Sequence, residues 1–252
     1  NDEAYPDAHK ALGDMFLFQA STYVSDPERD VVSSTYEEAL ARYDAAIEVA
    51  PDYVEAYEGR AQVHIAMDDP ASAISDLQSA LDIDPRNADA YAAMAMALML
   101  QEDYEEAIRT AQLALNLDPE NAQAQNAAGM AFYYLGQLGA ASQHFMDAVK
   151  ADPTLHQSYT NLGNTFYQMG SWPRARAQYE EALERIPTPA IANTAVQRSY
   201  LYYLIARTYH FSGMYDAEIE ALGQALALDS AYLEALVQLA SAYSELGQFQ
   251  AA

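Results

Sequence analysis

The chain contains no cysteine. Disulfides, thiolate zinc sites and thiol nucleophiles are excluded together. The compartment is not fixed by this, because a secreted protein can also lack cysteine. Basic residues are scarce: 12 stand against 37 acidic ones, for a formal net charge of -25. Lys10 and Lys150 are the only lysines. So acidic a chain repels phosphate backbones, so no nucleic-acid partner is expected, and anionic membrane surfaces are disfavoured for the same reason. Two readings of the acidity stay open: a solvated outer face that keeps an extended protein soluble, or a high-salt source or basic partner. Long apolar runs are also missing. The longest, Tyr91 to Leu100, is about half the ~20 residues that a membrane-spanning helix needs. No basic segment followed by an apolar one opens the chain. The pattern breaks off at Ala252 in mid-unit, so a trimmed fragment is expected, from which a targeting segment or anchor could be missing. Cytoplasm and periplasm both stay open.

Motifs for catalysis are lacking too. There is no P-loop, no GxGxxG after a strand, no HExxH and no GxSxG. The histidines are His9, His64, His144, His156 and His210, and none pairs with another at metal-ligand spacing. Asp68–Asp69 and Asp82/Asp84 are close carboxylates, but no glycine-centred calcium loop surrounds them. They read as turn and helix-end residues. Glu37–Glu38 and Glu105–Glu106 read as helix openers, where carboxylates meet the positive end of the helix dipole. No enzyme activity, cofactor or metal is expected.

What is present is a repeat. Pro51, Pro85, Pro119, Pro153 and Pro187 recur every 34 residues. They close the related stretches AAIEVAP, SALDIDP, LALNLDP, DAVKADP and EALERIP. Within each unit apolar residues recur at three- and four-residue spacing, which marks one buried helical stripe. Gly136, Gly170, Gly213 and Gly247 fall between paired helices, where a left-handed residue closes the first.

In period and proline the chain resembles the tetratricopeptide repeat (TPR) family. That pattern has small residues at positions 8, 20 and 27, bulky ones at 4, 7, 11 and 24, and proline at 32. Unit 156–189 fits with Tyr159, Leu162, Gly163, Phe166, Ala175, Tyr179, Ala182 and Pro187. Unit 122–155 departs mainly at Gln125. Unit 88–121 has a small Ala111 at position 24. Unit 54–87 is looser, with Arg60 and His64 where bulky apolar residues are usual. His64 reads as a packing histidine. A first unit, 6–53, carries an insertion at 20–33. A sixth, 199–232, follows about nine extra residues around Thr188 to Arg198 and has Ser230 in place of proline. A partial unit occupies 233–252. The resemblance implies one all-α superhelix over 1–252, a right-handed α-solenoid with a concave inner face.

The family lines that face with the first helix of each unit. Carried over, this gives Met96 and Met99 from unit 88–121, and Asn126, Met130, Tyr133 and Tyr134 from unit 122–155. Unit 156–189 gives Asn161, Asn164 and Tyr167, and the sixth gives Tyr203 and Arg207, with His210 beside them. Arg207 is the one cation on this face, so the lysine/arginine/asparagine clamp that some TPR domains use for a terminal carboxylate is not expected. Methionines offer an adaptable apolar surface, tyrosines large contacts at small entropic cost, and amides both donor and acceptor for a peptide backbone. A non-enzymatic scaffold is expected, its partner a protein or peptide with apolar and basic side chains. The alternatives are self-assembly into a homo-oligomer through an uncapped edge at Leu236, Leu239 and Tyr243, or an accessory role in a larger enzyme or secretion assembly. The aromatic stretch Tyr200–Phe211 is too dense for every ring to face a core.

Overall fold

The computed structural model describes residues 5–22, 29–186 and 192–247, and among them it contains helices and no strand. Two compact units divide at residue 151. The first holds α1 (Pro6–Thr22), α2 (Arg29–Val49), α3 (Val54–Ala66), α4 (Pro70–Ile83), α5 (Ala88–Leu100), α6 (Tyr104–Leu117), α7 (Ala122–Tyr134) and α8 (Leu138–Ala151). The second holds α9 (His156–Gln168), α10 (Trp172–Arg185), α11 (Ala192–Phe211), α12 (Tyr215–Leu228) and α13 (Leu233–Glu245). Consecutive helices pack pairwise within each unit, and in the first unit α1, α3, α5 and α7 also touch in succession. The odd-numbered helices of that unit therefore form one row. This is the all-α architecture of a TPR solenoid.

Local chemistry explains where the helices stop. The second helix of a pair ends two residues before proline, as α4 does before Pro85 and α6 before Pro119. The intervening Asp84 and Asp118 are extended, as a residue before proline must be. Their carboxylates accept from the backbone N–H of Arg86 and Glu120, at 3.0 and 3.1 Å. Asp69 caps α4 by accepting from the Ser72 N–H at 3.2 Å. These aspartates are turn and cap residues. Glu105 and Glu106 lie in the first turn of α6. Glu37 and Glu38 do not open a helix, because α2 starts at Arg29. No glycine or proline interrupts 29–36, so the helix propagates upstream past them.

The expected insertion at 20–33 falls partly on 23–28, outside the described residues; its flanks are helical. Of the extra residues before the sixth unit, 187–191 lie outside the described residues. Those from Ala192 lengthen α11 to 20 residues.

The core rests on matched sizes across paired helices. Tyr43, Phe145 and Tyr179 are buried, and each faces a glycine. A Cβ on Gly129 would lie 2.7 Å from the Phe145 ring, and one on Gly163 would lie 2.5 Å from the Tyr179 ring. Tyr43 packs on both Gly13 and Gly59. Where the bulky residue is replaced by Ala111, its neighbours are Ala95, Ala127 and Ala128. The small residue at this site is thus answered by other small residues, and the helices still close on one another. The polar departures in unit 54–87 answer each other in the same way. Arg60 donates to the buried Asp76 (2.9 Å) and to Asp44 (2.6 Å). His64 approaches Asp76 at 3.7 Å and Asp69 at 3.8 Å. His64 is a packing histidine within a polar network.

Two measurements check this packing. Gly163→Ala should cost about 1–3 kcal/mol by overpacking, read as a lower denaturant midpoint, and the same substitution should cost less in a Tyr179→Leu background, where the opposing ring is gone. The turn after α5 places Glu102 at φ 61° where α7 and α9 are followed by Gly136 and Gly170 at φ 74° and 72°. Glu102→Gly should therefore raise stability by about 1 kcal/mol.

Candidate peptide-binding surfaces

In the first unit the expected groove residues divide. Met96 and Met130 are half-buried, each resting on a core cluster of α5–α7. Tyr134 is 59% exposed and stacks on Tyr104, ring centroids 5.3 Å apart, with Tyr133 edge-on to it. Met99 and Asn126 do not line a surface. Met99 is buried with Leu98, Ala107 and Ala131, because its helical position turns it toward α6 and α7. Asn126 is buried in α7, its amide 3.6 Å from the Met130 sulfur. The acidic residues Glu58 and Asp89 are engaged as well. Asn87 and Asn121 cap α5 and α7 with their side-chain oxygens. Their amide N–H groups donate to Glu58 and Asp89, both at 2.7 Å. Each asparagine thereby ties one helix start to the preceding odd-numbered helix. Burial pushes the Glu58 carboxyl above its usual range.

In the second unit the aromatic residues converge. Trp172, at the start of α10, stacks on Phe211, at the end of α11, with centroids 4.9 Å apart and planes 22° apart. Tyr167 at the end of α9 meets both rings edge-on, at 5.0 and 5.7 Å. Arg207 lies over the Tyr167 ring at 4.6 Å and within 5.9 Å of Tyr203. The Tyr167 hydroxyl is buried and has no hydrogen-bond partner of good geometry among the described residues. Burial raises its pKa, which Arg207 partly offsets. Tyr203 in turn packs on Tyr232 at 5.2 Å. Tyr167, Tyr203 and Arg207 thus come together. Asn161 is half-buried, and its backbone carbonyl accepts from the Thr165 hydroxyl at 2.8 Å.

Beside this cluster an open groove of about 480 Å³ runs between α11 and α13. Tyr203, Arg207, His210 and Phe211 form one wall, and Leu233, Glu234, Val237, Gln238 and Ser241 form the other. Phe211, Leu233 and Val237 are 53, 66 and 63% exposed. His210 Nδ1 lies 3.1 Å from Glu218 of α12, whose side chain is fully buried. Gln238 of α13 donates to the other oxygen of that carboxylate at 2.7 Å. Glu218 thereby joins α11, α12 and α13. Sequence reasoning missed Trp172, Glu218, Leu233 and Val237. The i, i+4 apolar pair 233/237 beside the apolar Leu236 and Leu239 was the legible signal, since a helix apolar on so much of its circumference exposes part of it.

Asn164 has a structural task. Its side-chain oxygen accepts from the Tyr179 hydroxyl at 2.9 Å, just as Asp14 accepts from Tyr43 at 2.7 Å. Removing the acceptor of a buried hydroxyl costs roughly 1–3 kcal/mol. Asn164→Ala should therefore lower the unfolding midpoint by that order, while Asn164→Asp, which keeps the acceptor, should lower it less; equal losses would contradict the assignment.

Tetratricopeptide repeat family models match residues 33–88, 64–130, 122–155 and 154–231. No curated protein matches the chain in sequence. Among solved structures it is similar to PilF of Pseudomonas aeruginosa, at 20% identity and TM-score 0.69, covering 95% of this chain and 98% of that one. It is also similar to PilW, described as a type IV pilus biogenesis factor, at 19% identity and TM-score 0.67, covering 90% and 97%. A third is YrrB, described as a TPR protein with an unusual peptide-binding site, at 20% identity and TM-score 0.56, covering 78% and 96%. At these identities the likeness is one of fold. The repeat period, the paired helices and the successive matches over 33–231 agree: the chain belongs to the tetratricopeptide repeat family.

Proposed function

We propose that this protein-interaction scaffold works without catalysis and docks a peptide segment of its partner in the groove between α11 and α13. The observation that carries this reading is the groove itself. Leu233, Val237 and Phe211 expose most of their surface around a cavity of about 480 Å³, with polar groups on both walls. Apolar concavities with a few placed polar groups are where ligands gain most from leaving water. Tyr203 and Arg207 form part of its wall, and the Tyr167–Trp172 cluster extends it along α11. In the first unit, Tyr104, Tyr133 and Tyr134 with Met96 and Met130 form a second contact surface of the same scaffold. Tyrosine and methionine suit a surface that adapts to a bound segment.

Selection of random peptides from a display library on the protein, followed by affinity measurement on Leu233→Asp and Val237→Asp, tests this. Both side chains are exposed, so the variants should keep the parent's helicity and midpoint within about 0.5 kcal/mol. Selected peptides should bind them at least about tenfold more weakly, a loss of about 1.4 kcal/mol. Unchanged affinity would move docking away from α13. A protein that self-associates until Val237→Asp makes it monomeric would favour assembly through the same face.

A further inference from the structure

We propose that Glu218 is a positioning residue of the α11–α13 groove: it holds the Gln238 amide so that the amide oxygen can accept a main-chain N–H of the docked segment. The inference rests on the reading that the groove docks a peptide, and it names the part of that peptide the groove recognises.

The repeat itself marks Glu218 as an exception. Ala39, Ala73, Ala107, Ala141 and Ala175 hold the same place in the other second helices, and every one is fully buried. Glu218 is fully buried there too. A small residue at this place lets paired helices close, so packing alone asks for alanine. A buried carboxyl group adds a desolvation cost that packing does not require. Replacing a buried charged group by an apolar residue of similar volume is often neutral or stabilising. Stability therefore does not account for Glu218, and its role lies with its partners.

Those partners stand on both walls of the groove. One Glu218 oxygen lies 3.1 Å from His210 Nδ1 on α11, and the other accepts from Gln238 Nε2 on α13 at 2.7 Å. α13 packs on α12, so ties between these two helices set where the α13 wall stands. Tyr203 against Tyr232 fixes the start of α13, and a hydrogen bond between Tyr215 and Glu245 fixes its end. Glu218 with Gln238 fixes the middle.

The chemistry offered to a ligand follows from that bond. The Gln238 amide gives one N–H to Glu218, so its oxygen lies on the opposite side of the same planar group. Among the described residues neither this oxygen nor the second N–H has a partner. Gln238 lines the groove beside the exposed Leu233 and Val237. An extended segment carries a main-chain N–H and C=O at almost every residue, and a carboxamide complements both. Held by Glu218, the amide has already lost the freedom that binding would otherwise remove, and such preorganisation raises affinity. Leu233, Val237 and Phe211 then take the apolar side chains, and Gln238 takes the main chain.

The test uses the intact chain and one library-selected peptide, labelled with a fluorophore, together with a series in which each main-chain N–H in turn is replaced by an ester oxygen. Anisotropy gives the affinity and denaturant unfolding gives the midpoint, for the parent, Glu218→Leu, Glu218→Gln and Gln238→Ala. Leucine fills the site but cannot accept from Gln238; glutamine keeps an acceptor oxygen. On the parent, one ester should weaken binding about five- to tenfold. Glu218→Leu should keep the parent's midpoint, bind the unmodified peptide weaker by about the same factor, and lose its sensitivity to that ester. Glu218→Gln should bind within about twofold of the parent. Glu218→Leu binding as tightly as the parent, or a parent indifferent to every ester, would overturn the proposal while leaving docking intact. Midpoint and affinity falling together in both Glu218 variants would give Glu218 a structural role alone and overturn it as well. If Glu218→Leu does not fold, Gln238→Ala decides: the ester effect should vanish there, and its persistence would overturn the proposal. If no peptide binds the parent, the docking reading fails, and this inference falls with it.

Discussion

Everything in this molecule depends on how closely two helices approach across a hairpin. A bulky ring from the second helix occupies the space left by a missing side chain on the first. Tyr43 against Gly13 and Gly59, Phe145 against Gly129 and Tyr179 against Gly163 all use this device, and the alanine set around Ala111 achieves it with smaller parts. Interiors pack to crystal-like density and tolerate neither voids nor overlap. The interlock therefore fixes the spacing of each hairpin, and the hairpin spacing fixes which residues of the next helix stay outside. The surfaces that could meet a partner are what remains after the cores have closed.

That dependence explains what was legible in the sequence. The proline period, the small residues and the glycine turns are local signals, each tied to one backbone or packing constraint, and they located the helices of the described residues and the fold class. The candidate surface was less legible. Family positions gave Tyr167, Tyr203 and Arg207, which do converge. The same positions gave Met99 and Asn126, which are buried. Position along a helix specifies a direction, but how deep a side chain sits depends on the size of its neighbours. Around α5 and α7 these are mostly alanines, so the helices sit close and cover what a wider spacing would leave open. Asn164 shows the same limit differently: its amide accepts from Tyr179, a contact set by the helix pairing rather than by its own repeat position.

Electrostatics adds a second layer. The acidity is uneven, greater in residues 1–151 than in 152–252, and much of it is ordinary solvated surface. Some carboxylates are tied into the structure: Asp76 by Arg60, Glu58 and Asp89 by capping asparagines, Glu218 by His210 and Gln238. A fully buried carboxylate is costly unless donors surround it. Glu218 meets that condition while fixing the two residues that face each other across the α11–α13 groove. Packing, charge and the candidate function therefore meet at one side chain.

Amide hydrogen exchange of the protein with and without a library-selected peptide locates the docking surface without altering a residue. Docking in the α11–α13 groove should slow exchange on binding chiefly in 200–211 and 233–241, with smaller changes near 167–172. Protection confined to other helices, with those segments unchanged, would contradict it.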